Sequence, residues 1–260
     1  MVRILLCLLL MIYAGTVSAQ IFARDIQASG YVNPSDSANV TGKAPVSSRS
    51  LLRSAVAPLS LVTAGIIVET VPSHTVFSKE RIQEHVLGKM NGFETSADNY
   101  LQFVPLAAMF GLKLAGMKSR SDLLNQAIIT VKSELLVSAI VYSMKHVIRD
   151  MRPDGSSDDS MPSGHTVQAF VSATLLDMEY RDTSPWISVG GYLCAGATGF
   201  LRVANNRHWA SDVLIGAGIG IASVRLVCLT HRYRWGKMPS AVLVPVLYER
   251  GGGVAFAIKL

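Results

Sequence analysis

The chain has 260 residues, of which 50% are hydrophobic, 16% charged and 7% aromatic, with a mean hydropathy of +0.35. Intrinsic disorder is excluded, because it needs low hydrophobicity and high charge, and so are collagen-like and coiled-coil compositions. The net charge of +6, from 24 Lys and Arg against 18 Asp and Glu, suits anionic partners such as phosphates or acidic lipid surfaces; with no dense basic run and few interleaved aromatics, it does not point to nucleic acid.

Met1-Val2-Arg3, the apolar run Ile4 to Ala14 and the small-residue site Val17-Ser18-Ala19 have the pattern of a cleavable secretory signal over 1–19. Residues 20–50 are rich in Ser, Asn, Asp and Gly and read as a flexible leader. Six apolar helices are predicted at 51–70, 100–117, 121–148, 164–180, 184–202 and 209–230, making a helical domain over 51–235. Residues 73–98 are amphipathic and read as one surface helix. The tail, 236–260, carries Gly251-Gly252-Gly253 and alternating small apolar residues; it is either a terminal hairpin or an irregular segment. After the signal only Cys194 and Cys228 remain, both in apolar helical stretches, which is no disulfide framework. No CxxC or HExxH occurs, so the usual zinc signatures are missing.

A bilayer crossing needs about 18 or more apolar residues with few charges. Segment 184–201 meets this, and 209–230 nearly does, with Arg225 near its end. Segment 51–70 has a short clean core and contains Pro58, and 100–117 carries Lys113. Segment 121–148 carries Lys132 and Glu134 in its middle, where charge is costly in lipid. Both a membrane bundle and a compact soluble or membrane-associated helical protein fit these patterns.

Three polar patches lie between the helices. In Lys145-His146-Val147-Ile148-Arg149-Asp150-Met151-Arg152-Pro153, Lys145 and Arg152 are almost two helical turns apart, which places both side chains near one helical face, and Pro153 ends the helix at Arg152. Basic residues there are ordinary dipole partners or a pair of cations at a helix mouth. In Pro162-Ser163-Gly164-His165, Ser163 is placed to cap the next helix and Gly164 to let an anion reach free backbone N–H groups, with a titratable His165 beside it. The third patch runs from Arg202 to Asp212. His208 and Asp212 are four apart, so a carboxylate can orient the imidazole, and Arg202 adds a cation. Each patch alone has a plain structural reading. Together they hold cations, backbone donors and two histidines, the parts for phosphoryl transfer without a metal.

The three patches resemble, in order, the signature motifs of the type 2 phosphatidic acid phosphatase superfamily. Lys145, Arg152 and Pro153 match the first motif; Pro162, Ser163, Gly164 and His165 match the second in full; Arg202, His208 and Asp212 match the third at its spacing. Leu201 stands where the third motif usually has Ser, which removes one hydroxyl contact to phosphate and none of the charged groups. The match is detailed over 145–212. The resemblance implies an all-α, six-helix bundle of the type 2 phosphatidic acid phosphatase kind, mostly membrane-embedded. It implies His208 as the nucleophile that forms a phosphohistidine, Asp212 as its orienting carboxylate and His165 as the general acid. Lys145, Arg152, Ser163, Gly164 and Arg202 would bind the substrate phosphate, with no metal and no cofactor. Arg149, Arg207, His146 and Asp154 are given no role.

Members with six hydrophobic helices resemble lipid phosphatases, which act on phosphatidic acid, phosphatidylglycerophosphate, undecaprenyl pyrophosphate or lipid A. The expected partners are a lipid phosphate and a membrane, and the expected location is a bacterial inner membrane with the active site facing the periplasm. Lys113, Lys118, Arg120 and Arg181 then face the cytoplasm, as the positive-inside rule requires. A cleaved signal followed by six crossings would reverse that, so either the signal is retained or one early segment does not span; 51–70 is the candidate. The alternatives are a soluble periplasmic acid phosphatase, a vanadium haloperoxidase and a non-catalytic lipid-phosphate binder.

Overall fold

The computed structural model describes residues 48–90, 92–231, 241–248 and 251–258. The expected signal at 1–19 and nearly all of the leader lie outside the described residues, as does part of the tail. Eight helices form among the described residues: α1 (Ser48–Thr70), α2 (Lys79–Lys89), α3 (Asp98–Leu101), α4 (Val104–Leu114), α5 (Leu123–Ile148), α6 (Gly164–Tyr180), α7 (Pro185–Ala204) and α8 (Ala210–Thr230). The six predicted apolar helices are all present. The surface helix expected over 73–98 is shorter, because Ser78 caps α2 and accepts a hydrogen bond from Arg81 N at 3.3 Å. The segment expected as one helix over 100–117 is two, since Pro105 sits at the start of α4, where its missing N–H costs nothing.

Helix α6 is the centre of the bundle. It packs on α4, α5, α7 and α8, and twelve of its 17 residues are buried. Helix α8 lies between α6 and α1, and small residues let it approach both. A Cβ built on Gly220 would stand 2.7 Å from Val167 O of α6, and one on Gly218 would stand 2.7 Å from Pro58 O of α1. Neither backbone atom can retreat far, so these two positions accept only hydrogen.

Helices α5, α7 and α8 are each long and apolar enough to cross a membrane. For α5 this corrects the doubt raised by Lys132 and Glu134. The Glu134 carboxylate accepts a hydrogen bond from Gln168 Nε2 of α6 at 2.8 Å, so it turns toward a neighbouring helix. Its 26 residues would span roughly 39 Å at the ordinary helical rise. Helix α1 is 23 residues long and carries Pro58 inside it.

Because the long helices alternate in direction, the end of α5, the start of α6, the end of α7 and the start of α8 meet at one end of the bundle. The opposite end is closed by the turns around 118–121 and 179–183. There Arg120 N donates to Glu179 O at 3.0 Å and Thr183 Oγ1 donates to Lys118 O at 2.7 Å. The buried Glu179 carboxylate accepts from Ser121 N at 2.8 Å and Gln126 Nε2 at 3.1 Å.

The chain divides into two units, Met1–Thr230 and His231–Leu260. The first is all-α among its described residues. In the second, β1 (Ala241–Tyr248) pairs antiparallel with β2 (Gly251–Ile258), in a register that sets Ala241 opposite Ile258 and Tyr248 opposite Gly251. Of the two readings open for the tail, the hairpin is the one that forms.

The α8 contacts yield a stability prediction. Gly220→Ala should cost about 1–3 kcal/mol, the usual cost of overpacking, whereas Gly190→Ala, with nothing within 4 Å of its added Cβ, should be near neutral. Unfolding midpoints of the two variants in the same detergent measure the difference.

Candidate active site

The first motif converges by a route different from the expected one. Helix α5 stops at Ile148, and Arg149 adopts a left-handed conformation with φ 48°, so the chain turns away before Arg152. Lys145 and Arg152 therefore do not share a helical face. A tight loop brings them together instead: Gly155 N donates to Arg152 O and Arg152 N to Ser157 O, each at 3.0 Å. Asp159 then lies between the two cations. Its Oδ1 is 3.0 Å from both Arg152 Nε and Nη2, and its Oδ2 is 3.7 Å from Lys145 Nζ. The Lys145 ammonium also donates to the Asp159 main-chain carbonyl.

The third motif places His208 in the loop just ahead of α8, with Asp212 in the first turn of that helix. His208 Nδ1 is 3.5 Å from Asp212 Oδ2. The same carboxylate oxygen accepts from Trp209 N at 2.9 Å and from the Ser160 hydroxyl at 2.5 Å, and Ser160 Oγ is 3.4 Å from His208 Nδ1. A carboxylate facing Nδ1 favours the tautomer with its proton there and leaves the lone pair on Nε2. Both side chains are buried. Burial holds the His208 imidazole below its ordinary pKa; the Asp212 hydrogen bond and charge oppose this, and Arg202 and Lys145 reinforce it. A neutral, oriented imidazole is what a nitrogen nucleophile requires.

His165 opens α6. Its Nε2 donates to Asn99 Oδ1 at 2.8 Å. Burial, then the positive Arg202, push its pKa down to about 4, against the pull of Asp98. Arg202, at the end of α7, donates from Nη1 to Asp98 Oδ2 at 2.7 Å; both groups are buried, and Arg202 Nε has no hydrogen-bond partner. Asn205 clips the 94–99 segment to α7, accepting from Thr95 N at 3.0 Å and donating to Thr95 O at 2.8 Å. A cavity of about 740 Å³ opens beside these groups, lined by residues that include Thr95, Ser96, Asn99, Arg152, Arg202 and Asn205.

The second motif differs in one detail. Ser163 does not cap α6 with its side chain; the buried hydroxyl accepts from Thr166 Oγ1 at 2.9 Å, and the Ser163 N–H donates to Asp212 O at 3.3 Å. That N–H thus ties the second motif to the third. Gly164 has nothing within 4 Å of where a Cβ would stand, which leaves its backbone approachable.

Sequence reasoning missed four residues that complete the arrangement. Ser160 bonds the Asp212 carboxylate, Asp159 pairs with two cations, Asp98 pairs with Arg202, and Asn99 holds His165. Asp98 and Asn99 had no legible signal, since they lie 104 and 66 residues from their partners. Asp159 and Ser160 stood in a polar loop whose composition reads as ordinary linker. Arg207, given no role, stands at the cavity's rim and pairs with Asp154 at 3.2 Å.

Comparison with known proteins gives three findings. The profile of the PAP2 superfamily matches residues 126–236. The chain is 40% identical over 164 residues to the lipid A 1-phosphatase of Porphyromonas gingivalis, a match covering 63% of this chain and 35% of that protein. The chain thus spans about a third of the length of that relative. Among solved structures it is similar to Aquifex aeolicus LpxE, at 21% identity and a TM-score of 0.43, covering 56% of this chain and 93% of the other.

The depressed His165 pKa has two measurable consequences. Between pH 4 and the ordinary pKa of 6.5 the unfolded chain binds a proton that folded His165 does not, so stability should rise with pH across that window. A bound phosphate would offset the nearby Arg202 and Arg152 and raise the His165 pKa. Phosphate binding near pH 6 should therefore take up protons, and His165→Asn should reduce that uptake. Calorimetry in buffers of different ionisation enthalpy reads it directly.

Proposed function

We propose that the chain is a member of the type 2 phosphatidic acid phosphatase (PAP2) superfamily, whose profile matches residues 126–236, and that it is a phosphoric monoester hydrolase acting on a lipid phosphate of the bacterial envelope. The observation that carries this reading is the buried His208–Asp212 pair, with the backbone N–H of His208 bonded to Arg202 O at 3.3 Å beside the arginine-lined cavity. A binder or transporter needs cations; it does not need an oriented nucleophile.

In this mechanism the phosphoryl group enters among Lys145, Arg152 and Arg202, whose charges offset those on its oxygens, with the Gly164 N–H as a further donor. Among the phosphate-binding residues expected from sequence, Ser163 is the weakest, since its side chain is fully buried. His208 Nε2 attacks phosphorus, the bond to the alcohol oxygen breaks, and His165 gives that oxygen its proton. Water then attacks the phosphohistidine, returning a proton to His165, and the N–P bond breaks to release phosphate. Asp212 stabilises the charge that His208 gains on attack. The three cations do the work a metal does elsewhere, so this reading includes no metal and no cofactor.

Two observations favour a sugar-linked lipid phosphate such as that of lipid A over a glycerol phosphate. Amide and hydroxyl side chains of Thr95, Ser96, Asn99 and Asn205 line the cavity, as hydroxyl-rich headgroups require. The relative with 40% identity is named a lipid A 1-phosphatase. The proposed location is the inner membrane, with the motif end toward the periplasm. Lys118, Arg120 and Arg181 gather at the other end, as the positive-inside rule requires of that orientation; a cleaved signal over 1–19 would then need one early segment, α1 with its internal Pro58, not to cross.

Purified protein in EDTA should release phosphate from one of lipid A, phosphatidic acid, phosphatidylglycerophosphate or undecaprenyl pyrophosphate. His208→Asn, chosen because His208 is buried, should lower release by roughly a thousandfold or more. Release confined to small soluble phosphomonoesters would replace the lipid reading with an acid phosphatase, and no release at all would replace it with a binder. His165→Asn should cost about a hundredfold or more on the lipid and much less on p-nitrophenyl phosphate, whose leaving group needs no proton. Orientation is tested by cysteines at positions 118 and 156: outside reagent should label 156 and not 118 in intact cells.

A further inference from the structure

We propose that Asp159 is an affinity-setting residue, a resident carboxylate that holds the phosphate subsite when the subsite is empty and that every substrate must displace. This rests on the reading of Lys145 and Arg152 as phosphate-binding cations. Asp159 Oδ1 accepts a hydrogen bond from Arg152 Nε at 3.0 Å and one from the Ser157 hydroxyl at 2.5 Å, with the Arg152 Nη2 charge also 3.0 Å away, while Oδ2 faces Lys145 Nζ at 3.7 Å. A guanidinium, a hydroxyl and an ammonium around two oxygens make the donor set that a phosphoryl group would take from the same residues.

Two features make the carboxylate displaceable. Its side chain is 45% exposed, so it can swing to water at little desolvation cost. Lys145 also bonds the Asp159 main-chain carbonyl, so the ammonium keeps one anchor when the carboxylate leaves. A phosphate monoester dianion brings two charges and three oxygens against one charge and two, and so can win the exchange. Meanwhile the carboxylate keeps Lys145 and Arg152 gathered in the empty site, where they would otherwise repel each other. Asp159 stays ionised over the working range, because the Ser157 hydrogen bond and the charges of Lys145 and Arg152 hold its pKa below the ordinary value. Substrate and product meet the same competitor. Its cost to substrate affinity is therefore matched by easier release of inorganic phosphate.

The test is titration of the full chain in detergent with inorganic phosphate, comparing the native protein with Asp159→Asn, Asp159→Glu and the exposed neighbour change Asp158→Asn, which alters net charge equally. Asp159→Asn should tighten phosphate about three- to tenfold, the scale of a partly exposed charge pair. It should lower KM for the substrate by the same factor, without a matching rise in kcat. Asp159→Glu, which keeps the charge, should stay near the native value, and Asp158→Asn should change affinity less than about twofold. Unchanged or weaker phosphate binding in Asp159→Asn, with native binding intact, would overturn the competitor role and leave the phosphatase reading standing. If none of the proteins bound phosphate, both readings would fall.

Discussion

Cations gathered at one place repel each other, and the site end of this protein is arranged around that fact. Lys145, Arg152 and Arg202 come from two helix ends and a loop, and an apolar bundle offers no charge to hold them. Two carboxylates supply it: Asp159 for the first two and Asp98 for the third. Because Asp98 begins a separate short helix, the Arg202 pair also fastens the 94–99 segment over the cavity, helped by Asn205. Neutralising the cations and building the cavity wall are thus one event. A similar logic recurs behind the site, where Lys79 links Glu69 of α1 at 2.7 Å to Asp150 of the first motif at 3.3 Å, and Glu69 accepts from Ser211 beside Asp212 at 2.8 Å.

The two histidines are separated by environment as much as by position. His208 is buried with one ring nitrogen committed to a carboxylate. His165 stands at the cavity edge with an amide partner and positive neighbours. The first setting orients a neutral ring, as the proposed nucleophile needs. The second makes the proton affinity of the ring depend on what anion is nearby, so in the proposed mechanism the substrate arms the acid. Asp212 serves three purposes through one oxygen: it reaches back to the start of α8, accepts from Ser160 and faces His208. His208, the start of α8 and the loop ahead of the second motif are therefore fixed relative to one another.

Small residues in α8 make this convergence feasible. Contacts at Gly218 and Gly220 bring α1 and α6 close enough for their ends to meet the third motif. Two charged residues within the apolar helices are also bonded: Glu134 to Gln168 of a neighbouring helix, and Lys113 to Ser119 and Ser121 of the turn that follows its own.

The sequence by itself determined the long apolar helices, because each is an apolar run bounded by capping or breaking residues, and periodicity is a local property. It also made the candidate site legible, because the motif residues lie within short stretches whose spacing is fixed by the chain. The end of α5 was misjudged: Pro153 was a visible stop, whereas the left-handed turn at Arg149 depends on its surroundings. Only the tertiary structure decided what faces each functional group. Asp98, Asn99, Asp159 and Ser160 earn their places by meeting residues on other elements, and no pattern within a single stretch encodes such a meeting. The physical reason is that a helix follows from contacts three or four residues apart, while the compensation of a buried charge is settled between elements that only folding brings together.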